Sequence, residues 1–247
     1  MALIRMAGEI GLPFSLKCVA ACSVAVLLAA CQSGSEAPSR QVKSPEQLQA
    51  LSEPYKGRAV TELVSDAGAV GVAQELYTAN CASCHGANGR GGRGVMDLVG
   101  GHFNYGTSAE AIHTTISQGR KTDMPSMKES NLGAVDIGQL VAYVQSLSKD
   151  KDKDGPSLYE QRGQQLFKMH CASCHGDDGH GNFATGAPNL ADDYWLNGSS
   201  MMNIRLLVTG GEESECPAFG GKLNPTEIDL LTAYVLKLMQ PQPGGSG

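Results

Sequence analysis

Apolar positions recur at three- and four-residue spacing over residues 68–80 and 157–170, each run leading straight into a cysteine, and that period predicts an amphipathic helix in both places. Two more helices are predicted the same way. One covers 134–147 through Ala134, Ile137, Leu140, Val141, Val144 and Leu147, and the other covers 225–239 through Ile228, Leu231, Val235 and Leu238. Asn224-Pro225-Thr226-Glu227 supplies a capping Asn and a first-turn Pro to the last of them. Shorter helices are expected around 108–118 and 199–209. The stretches 86–107 and 176–198 are rich in Gly, Asn and Asp and read as loop. Strand-type alternation is missing, so the fold class is all-α.

The helices come as two copies of one unit. Leu76-Tyr77 ahead of Cys81-Ala82-Ser83-Cys84-His85-Gly86 matches Leu166-Phe167 ahead of Cys171-Ala172-Ser173-Cys174-His175-Gly176 at a shift of 90 residues. Ile112, Ile116, Gly119 and Met124-Pro125 match Ile204, Val208, Gly211 and Cys216-Pro217 at 92, and Ala142-Tyr143-Val144 matches Ala233-Tyr234-Val235 at 91. Domain one is therefore expected over 66–148 and domain two over 157–240. The alternating charges, Gly and Pro of 149–156 mark an exposed linker between them. Residues 241–247 read as a flexible tail or an appended sequence.

The chain begins differently. Arg5 and Lys17 precede an uncharged, mostly apolar stretch, 18–30, which is the pattern of an export signal and too short for a comfortable span of about 20 residues. The run Leu28-Ala29-Ala30-Cys31, followed by a polar tract, resembles the cleavage box of bacterial lipoproteins. That resemblance implies a signal peptide over 1–30, a lipidated Cys31 as the anchor, and a tether over 31–65. With Gln32 rather than Asp after the lipidated position, it favours the outer membrane. A net charge of −6 argues against nucleic acid and against a polybasic membrane patch, and suits partners with basic docking surfaces.

Only 5% of the residues are aromatic, while Gly numbers 31. Two small domains of that composition need core volume from elsewhere. The two Cys-Ala-Ser-Cys-His motifs provide it, because this is the attachment signature of c-type haem. Two thiols three residues apart on a helical turn can add to the two vinyl groups, and the adjacent imidazole can reach the iron. Cys81, Cys84, Cys171 and Cys174 are thus the candidate covalent attachment sites for two haem c groups, with His85 and His175 as proximal iron ligands. A disulfide or zinc pair fits less well, since His follows immediately both times in an exported chain.

With these motifs, the Leu76-Tyr77 and Leu166-Phe167 contacts, the run Gly186–Leu196, Met124-Pro125 and the helices closing on Tyr143 and Tyr234, the chain resembles the class I cytochrome c family. It is most similar to the tandem domains of the diheme subunit of C-family haem-copper oxidases. The resemblance covers about residues 66–240 and implies two small helical bundles, each around one haem. It also implies a free-standing, lipid-tethered relative on the periplasmic side of a bacterial membrane rather than an integral subunit.

In that family the distal ligand is the Met of a Met-Pro step, which makes Met124 the expected partner of His85 on haem one; Met96 and Met127 suit packing better. Met96 stands where copy two has Pro188, whose backbone carbonyl orients the proximal His in the family. Copy two has Cys216 at the ligand position, so a thiolate is expected opposite His175, lowering the potential of haem two. Alternatives are an unbonded Cys216 beside five-coordinate iron, or its displacement by Met201, Met202 or Lys222. The three acids Glu212, Glu213 and Glu215 oppose ionisation of the thiol. His170 and His180 lie nearer the proximal side and the loop surface, and His102 and His113 read as ordinary polar residues. The resemblance implies an electron carrier rather than an enzyme, passing electrons between a dehydrogenase or quinol-oxidising complex and a terminal oxidase or reductase. The alternative is a sulfur-compound oxidoreductase, similar to thiosulfate dehydrogenase, working at a His/Cys haem.

Overall fold

Helix boundaries in the computed structural model fall within a residue or two of those the periodicity predicts. The structure describes residues 42–148 and 156–241; the signal segment 1–30, Cys31, residues 149–155 of the linker and the tail from 242 lie outside the described residues. The helices are α1 (Pro45–Ser52), α2 (Val60–Leu63), α3 (Ala67–Asn80), α4 (Ala82–His85), α5 (Ala109–Gln118), α6 (Ala134–Leu147), α7 (Leu158–His170), α8 (Ala172–His175), α9 (Met201–Gly210) and α10 (Pro225–Leu238). Local chemistry fixes their starts. Ser157 and Asn224 each accept from the backbone N–H three residues on, while Glu160 and Glu227 reach back to the cap N–H, so α7 and α10 both open on a capping box.

Two short strands depart from the purely helical expectation. β1 (Arg120–Met124) and β2 (Glu212–Cys216) pair antiparallel with Arg120 opposite Cys216, Thr122 opposite Ser214 and Met124 opposite Glu212. Part of the expected tether is also folded. A capping box at Ser44 and Gln47 starts α1, and Leu48, Leu63 and Val64 are buried in one cluster with α3 and α10 residues. Their apolar side chains have that surface to bury, which a free tether would leave wet.

The helices pack in a way that the repeat boundaries do not suggest. α3, from the first repeat, packs on α10 from the second, and α6, from the first, packs on α7 and α9 of the second. α5 likewise lies on α10. One cluster therefore joins Leu76 and Tyr77 to Leu230, Leu231 and Tyr234, and the other joins Leu140, Val141 and Tyr143 to Leu166, Phe167 and Ile204. The aromatic contacts follow suit: the Tyr77 and Tyr234 rings are 5.1 Å apart, and those of Tyr143 and Phe167 5.4 Å. The N-terminal half of each repeat is completed by the C-terminal half of the other. The units expected at 66–148 and 157–240 are thus repeats of sequence, while each packed core draws on both.

The chain crosses over at the β1–β2 ribbon. Gly119 and Gly211 end α5 and α9 with φ of 73°, a conformation open to Gly at little steric cost. Each is pressed against the loop arriving from the other repeat. A Cβ on Gly119 would stand 2.7 Å from the Cys216 carbonyl oxygen and the Ala218 nitrogen, and one on Gly211 2.5 Å from the Met124 carbonyl oxygen. Phe219 and Gly220 N–H donate to Ile116 and Ser117 carbonyls at 2.9 Å, and the Ser126 hydroxyl donates to the Thr209 carbonyl at 2.6 Å.

The crossing of α6 and α7 depends on one small residue. A Cβ on Gly163 would run into the Gln139 carbonyl, so these helices approach backbone to backbone. The matching position where α3 meets α10 is the fully buried Ala73. Gly163→Ala is expected to destabilise the protein by about 1–3 kcal/mol through overpacking, read as a lower thermal midpoint with both haems still attached.

Candidate functional site

Each attachment motif is a single helical turn at the end of a long helix. Cys81 and Cys171 accept the His85 and His175 N–H at 2.9 and 3.0 Å, and their own N–H groups close α3 and α7 on the Tyr77 and Phe167 carbonyls at 2.8 Å. The first cysteine of each motif is half-buried and the second is exposed. Burial, helped by Cys216 and Cys84, pushes the Cys81 thiol up to about 12, and burial with Cys174 pushes Cys171 up to about 11. Among the described residues no group of three or more His, Cys, Asp or Glu is placed to hold a metal ion.

The histidines are oriented as haem ligands need to be. His85 Nδ1 lies 3.0 Å from the Met96 carbonyl oxygen, and His175 Nδ1 lies 3.1 Å from that of Pro188. A carbonyl on Nδ1 fixes the tautomer with Nε2 unprotonated, the form in which an imidazole can bind a metal. Met96 thus does with its backbone what Pro188 does, despite the change of side chain. Burial lowers the pKa of His175, keeping the imidazole neutral, the form that binds metal. Tyr77 donates its hydroxyl to the Gly86 carbonyl at 2.7 Å, tying the first motif's exit to the long helix.

The two loops behind the histidines touch. The Tyr194 hydroxyl accepts the Asp97 N–H at 2.9 Å and lies 3.8 Å from the Met96 sulfur, and its ring stacks on His102 at 4.5 Å. Tyr194 therefore bridges from the loop that holds His175 to the residue whose carbonyl holds His85. This contact was not legible in sequence, because nothing in either loop pairs Tyr194 with Met96.

The distal candidates stand elsewhere than the repeat alignment puts them. Met124, Met127 and Leu132 pack against the core cluster of Leu140, Phe167 and Ile204, and Cys171 and Ala172 pack against the same cluster. Cys216 faces the first motif: the thiol is half-buried, and burial, then Cys84, raises its pKa, while Arg120 across the ribbon lowers it and Glu215 raises it. Cys216 thus neighbours Cys81 and Cys84 of the first motif, and Met124 lies against the same core cluster as Cys171 of the second. Of the three acids expected to oppose the thiol, Glu215 adjoins it, whereas Glu212 sits opposite Met124 and accepts from Asn197 at 2.6 Å. Arg120 is itself held, Nε donating to the Thr115 hydroxyl at 3.1 Å and its guanidinium 4.4 Å from the Tyr105 ring centre. Sequence reading missed Arg120, which becomes a neighbour of Cys216 only through the ribbon.

The remaining candidates are peripheral. Met201 and Met202 are exposed on α9, and the Lys222 ammonium lies 5.7 Å from the Phe219 ring centre. His102 faces Asp192 at 3.6 Å, His113 faces Asp229 at 3.5 Å and His180 faces Asp178 at 3.1 Å.

Two Cys-x-x-Cys-His turns at the ends of long helices, each with its histidine braced by a loop carbonyl, define a diheme protein of the class I cytochrome c type. The family model for cytochrome c oxidase, cbb3-type, subunit III matches residues 68–144 and 160–235, and the chain belongs to that family. It is 33% identical over 198 residues to the cbb3-type cytochrome c oxidase subunit CcoP of Rubrivivax gelatinosus, covering 80% of this chain and 64% of the relative. It is 35% identical over 181 residues to the subunit FixP of Azorhizobium caulinodans, covering 70% and 60%. The chain spans about three-fifths of the length of these relatives. Its cofactors are two haem c. Among the described residues no helix is long and apolar enough to cross a membrane.

Proposed function

We propose that the protein is an electron carrier, held by a lipid on Cys31 at the periplasmic face of a bacterial membrane, that passes electrons from a dehydrogenase or quinol-oxidising complex to a terminal oxidase or reductase. The observation that supports this reading best is the bridge between the two histidine loops. His85 leans on Met96, the next N–H, that of Asp97, donates to Tyr194, and Tyr194 belongs to the loop that carries Pro188 against His175. Both motifs thereby sit in one packed framework, suited to transfer between two sites without large rearrangement.

When bound, each haem supplies a one-electron iron couple. The chain's own residues orient the imidazoles through Met96 and Pro188, keep His175 neutral by burial and cover the inner side of each motif with the packed long helices. The net charge of −6 steers the protein to basic patches on partners, in encounters that weaken as salt rises. Being oxidase subunits, the named relatives make a haem-copper oxidase the acceptor of choice.

Stopped-flow mixing of the reduced holoprotein with oxidase-containing membrane vesicles tests the reading. Reoxidation of both haems at a rate that falls with ionic strength is expected. No reoxidation, or haem reduction by thiosulfate with formation of tetrathionate, would overturn it. Loss of membrane association in Cys31→Ala tests the anchor separately.

A further inference from the structure

We propose that Tyr194, a residue of the second repeat, is a positioning residue for the haem of the first: its hydroxyl polarises the Met96–Asp97 peptide against His85 and so holds the potential of that haem down. The inference rests on the reading of His85 as a proximal iron ligand and adds the group behind it that governs its strength.

One peptide group carries the chain of contacts. Its carbonyl, on Met96, lies 3.0 Å from His85 Nδ1, and its N–H, on Asp97, donates to the Tyr194 hydroxyl at 2.9 Å. A peptide that donates at one end accepts more strongly at the other, because each hydrogen bond in a chain polarises the next, by about 10–30%. The Tyr194 hydroxyl also lies 3.8 Å from the Met96 sulfur, a weak acceptor toward which its own proton can turn, leaving oxygen lone pairs for the amide. Phenol, peptide and imidazole are all half-buried, where water competes less for these bonds. A stronger acceptor on Nδ1 gives the imidazole more anionic character, and an electron-rich ligand favours ferric iron.

Both ends of this chain are fixed. Asp192 accepts the Tyr194 N–H at 3.0 Å through Oδ1, while its Oδ2 lies 3.6 Å from Nδ1 of His102, whose ring stacks on Tyr194 with the planes 8° apart. One carboxylate thus holds the tyrosine backbone and the ring that backs it. On the other side Asp97 Oδ1 accepts the Val99 and Gly100 N–H groups at 2.7 and 3.2 Å, which sets the turn carrying the peptide. The arrangement is one-sided. His102 is the first repeat's counterpart of Tyr194, at a shift of 92 residues, and its ring nitrogen faces Asp192, so the hydroxyl of this equivalent pair serves the first histidine. The potential of the first haem is therefore set in part by a residue of the second repeat.

Nuclear magnetic resonance of the holoprotein during a redox titration tests this, because the Nδ1–H resonance of each proximal histidine shifts when its own haem is oxidised and so reports that haem alone. Tyr194→Phe keeps the ring on His102 and removes only the hydroxyl. It is expected to raise the potential of the first haem, so that its ferrous to ferric ratio at a fixed solution potential grows about two- to threefold. The His85 Nδ1–H should move upfield, and the His175 signal and the second haem should stay where they are. His102→Phe, which keeps a stacked ring and leaves the hydroxyl in place, should leave the first haem unchanged. An unmoved first haem in Tyr194→Phe, equal movement of both haems, or the same shift in His102→Phe would overturn the proposal. A His85 Nδ1–H indifferent to oxidation in the unaltered protein would overturn the reading of His85 as a ligand, and this proposal with it.

Discussion

Produced as separate chains, residues 42–148 and 156–241 are expected to fold poorly alone and to recover native structure when combined. Each half-repeat finds its core in the other repeat, so separation exposes the buried faces of α3, α6, α7 and α10 together. A single repeat could in principle close on itself, α3 taking the place of α7 against α6. The crossing forbids a good fit: α6 accepts Gly163 where its Gln139 carbonyl leaves no room for a Cβ, and α3 presents Ala73 at the matching position. Closure would cost about 1–3 kcal/mol of overpacking at that point alone, a large part of the margin of a domain this small. Circular dichroism and gel filtration of the haem-loaded fragments, alone and mixed, measure the effect. The mixture should run as one species with most of the helical signal restored. Two independently folded monomers with the full protein's thermal midpoint would contradict it.

The second large effect is expected at Cys216. With Cys216 on iron as the expected thiolate, its replacement by a thioether would remove a negative charge from the ferric iron, and a neutral soft ligand favours the reduced state. Cys216→Met should raise the midpoint potential of one haem by a few tenths of a volt, within the roughly 0.8 V over which axial ligands tune haem iron. The other haem should move little. Spectroelectrochemical titration resolves the two: two well-separated steps in the unaltered protein and nearly coincident ones in the variant are expected. Unchanged steps would mean that the thiol does not bind iron.

Most of the local structure was legible from the chain. The long helices could be read to within a residue or two because their apolar faces repeat without interruption and their caps are explicit, as at Asn224. The two haems were equally plain, since the Cys-Ala-Ser-Cys-His spacing that announces them has few other uses. The partner of each helix was not. In a tandem repeat the two C-terminal helices offer nearly equivalent apolar faces to the two N-terminal ones, and periodicity does not distinguish them. What does distinguish them is small: Gly163 against Ala73, a difference that acquires meaning only once the Gln139 carbonyl is seen behind it. The folded start at α1 had a signal that was passed over, the Ser44 and Gln47 capping box ahead of Leu48. Arg120 had none, because its proximity to Cys216 arises from the ribbon register, and the short strands carry no alternation to announce it.

The exchange of halves is tested most directly by nuclear Overhauser spectroscopy of the reduced, diamagnetic holoprotein with labelled Tyr and Phe rings. Cross-peaks between Tyr77 and Tyr234, and between Tyr143 and Phe167, are expected from ring separations of 5.1 and 5.4 Å. Cross-peaks joining Tyr77 to Tyr143 and Phe167 to Tyr234 in their place would show that each repeat folds on itself, and would contradict the exchange.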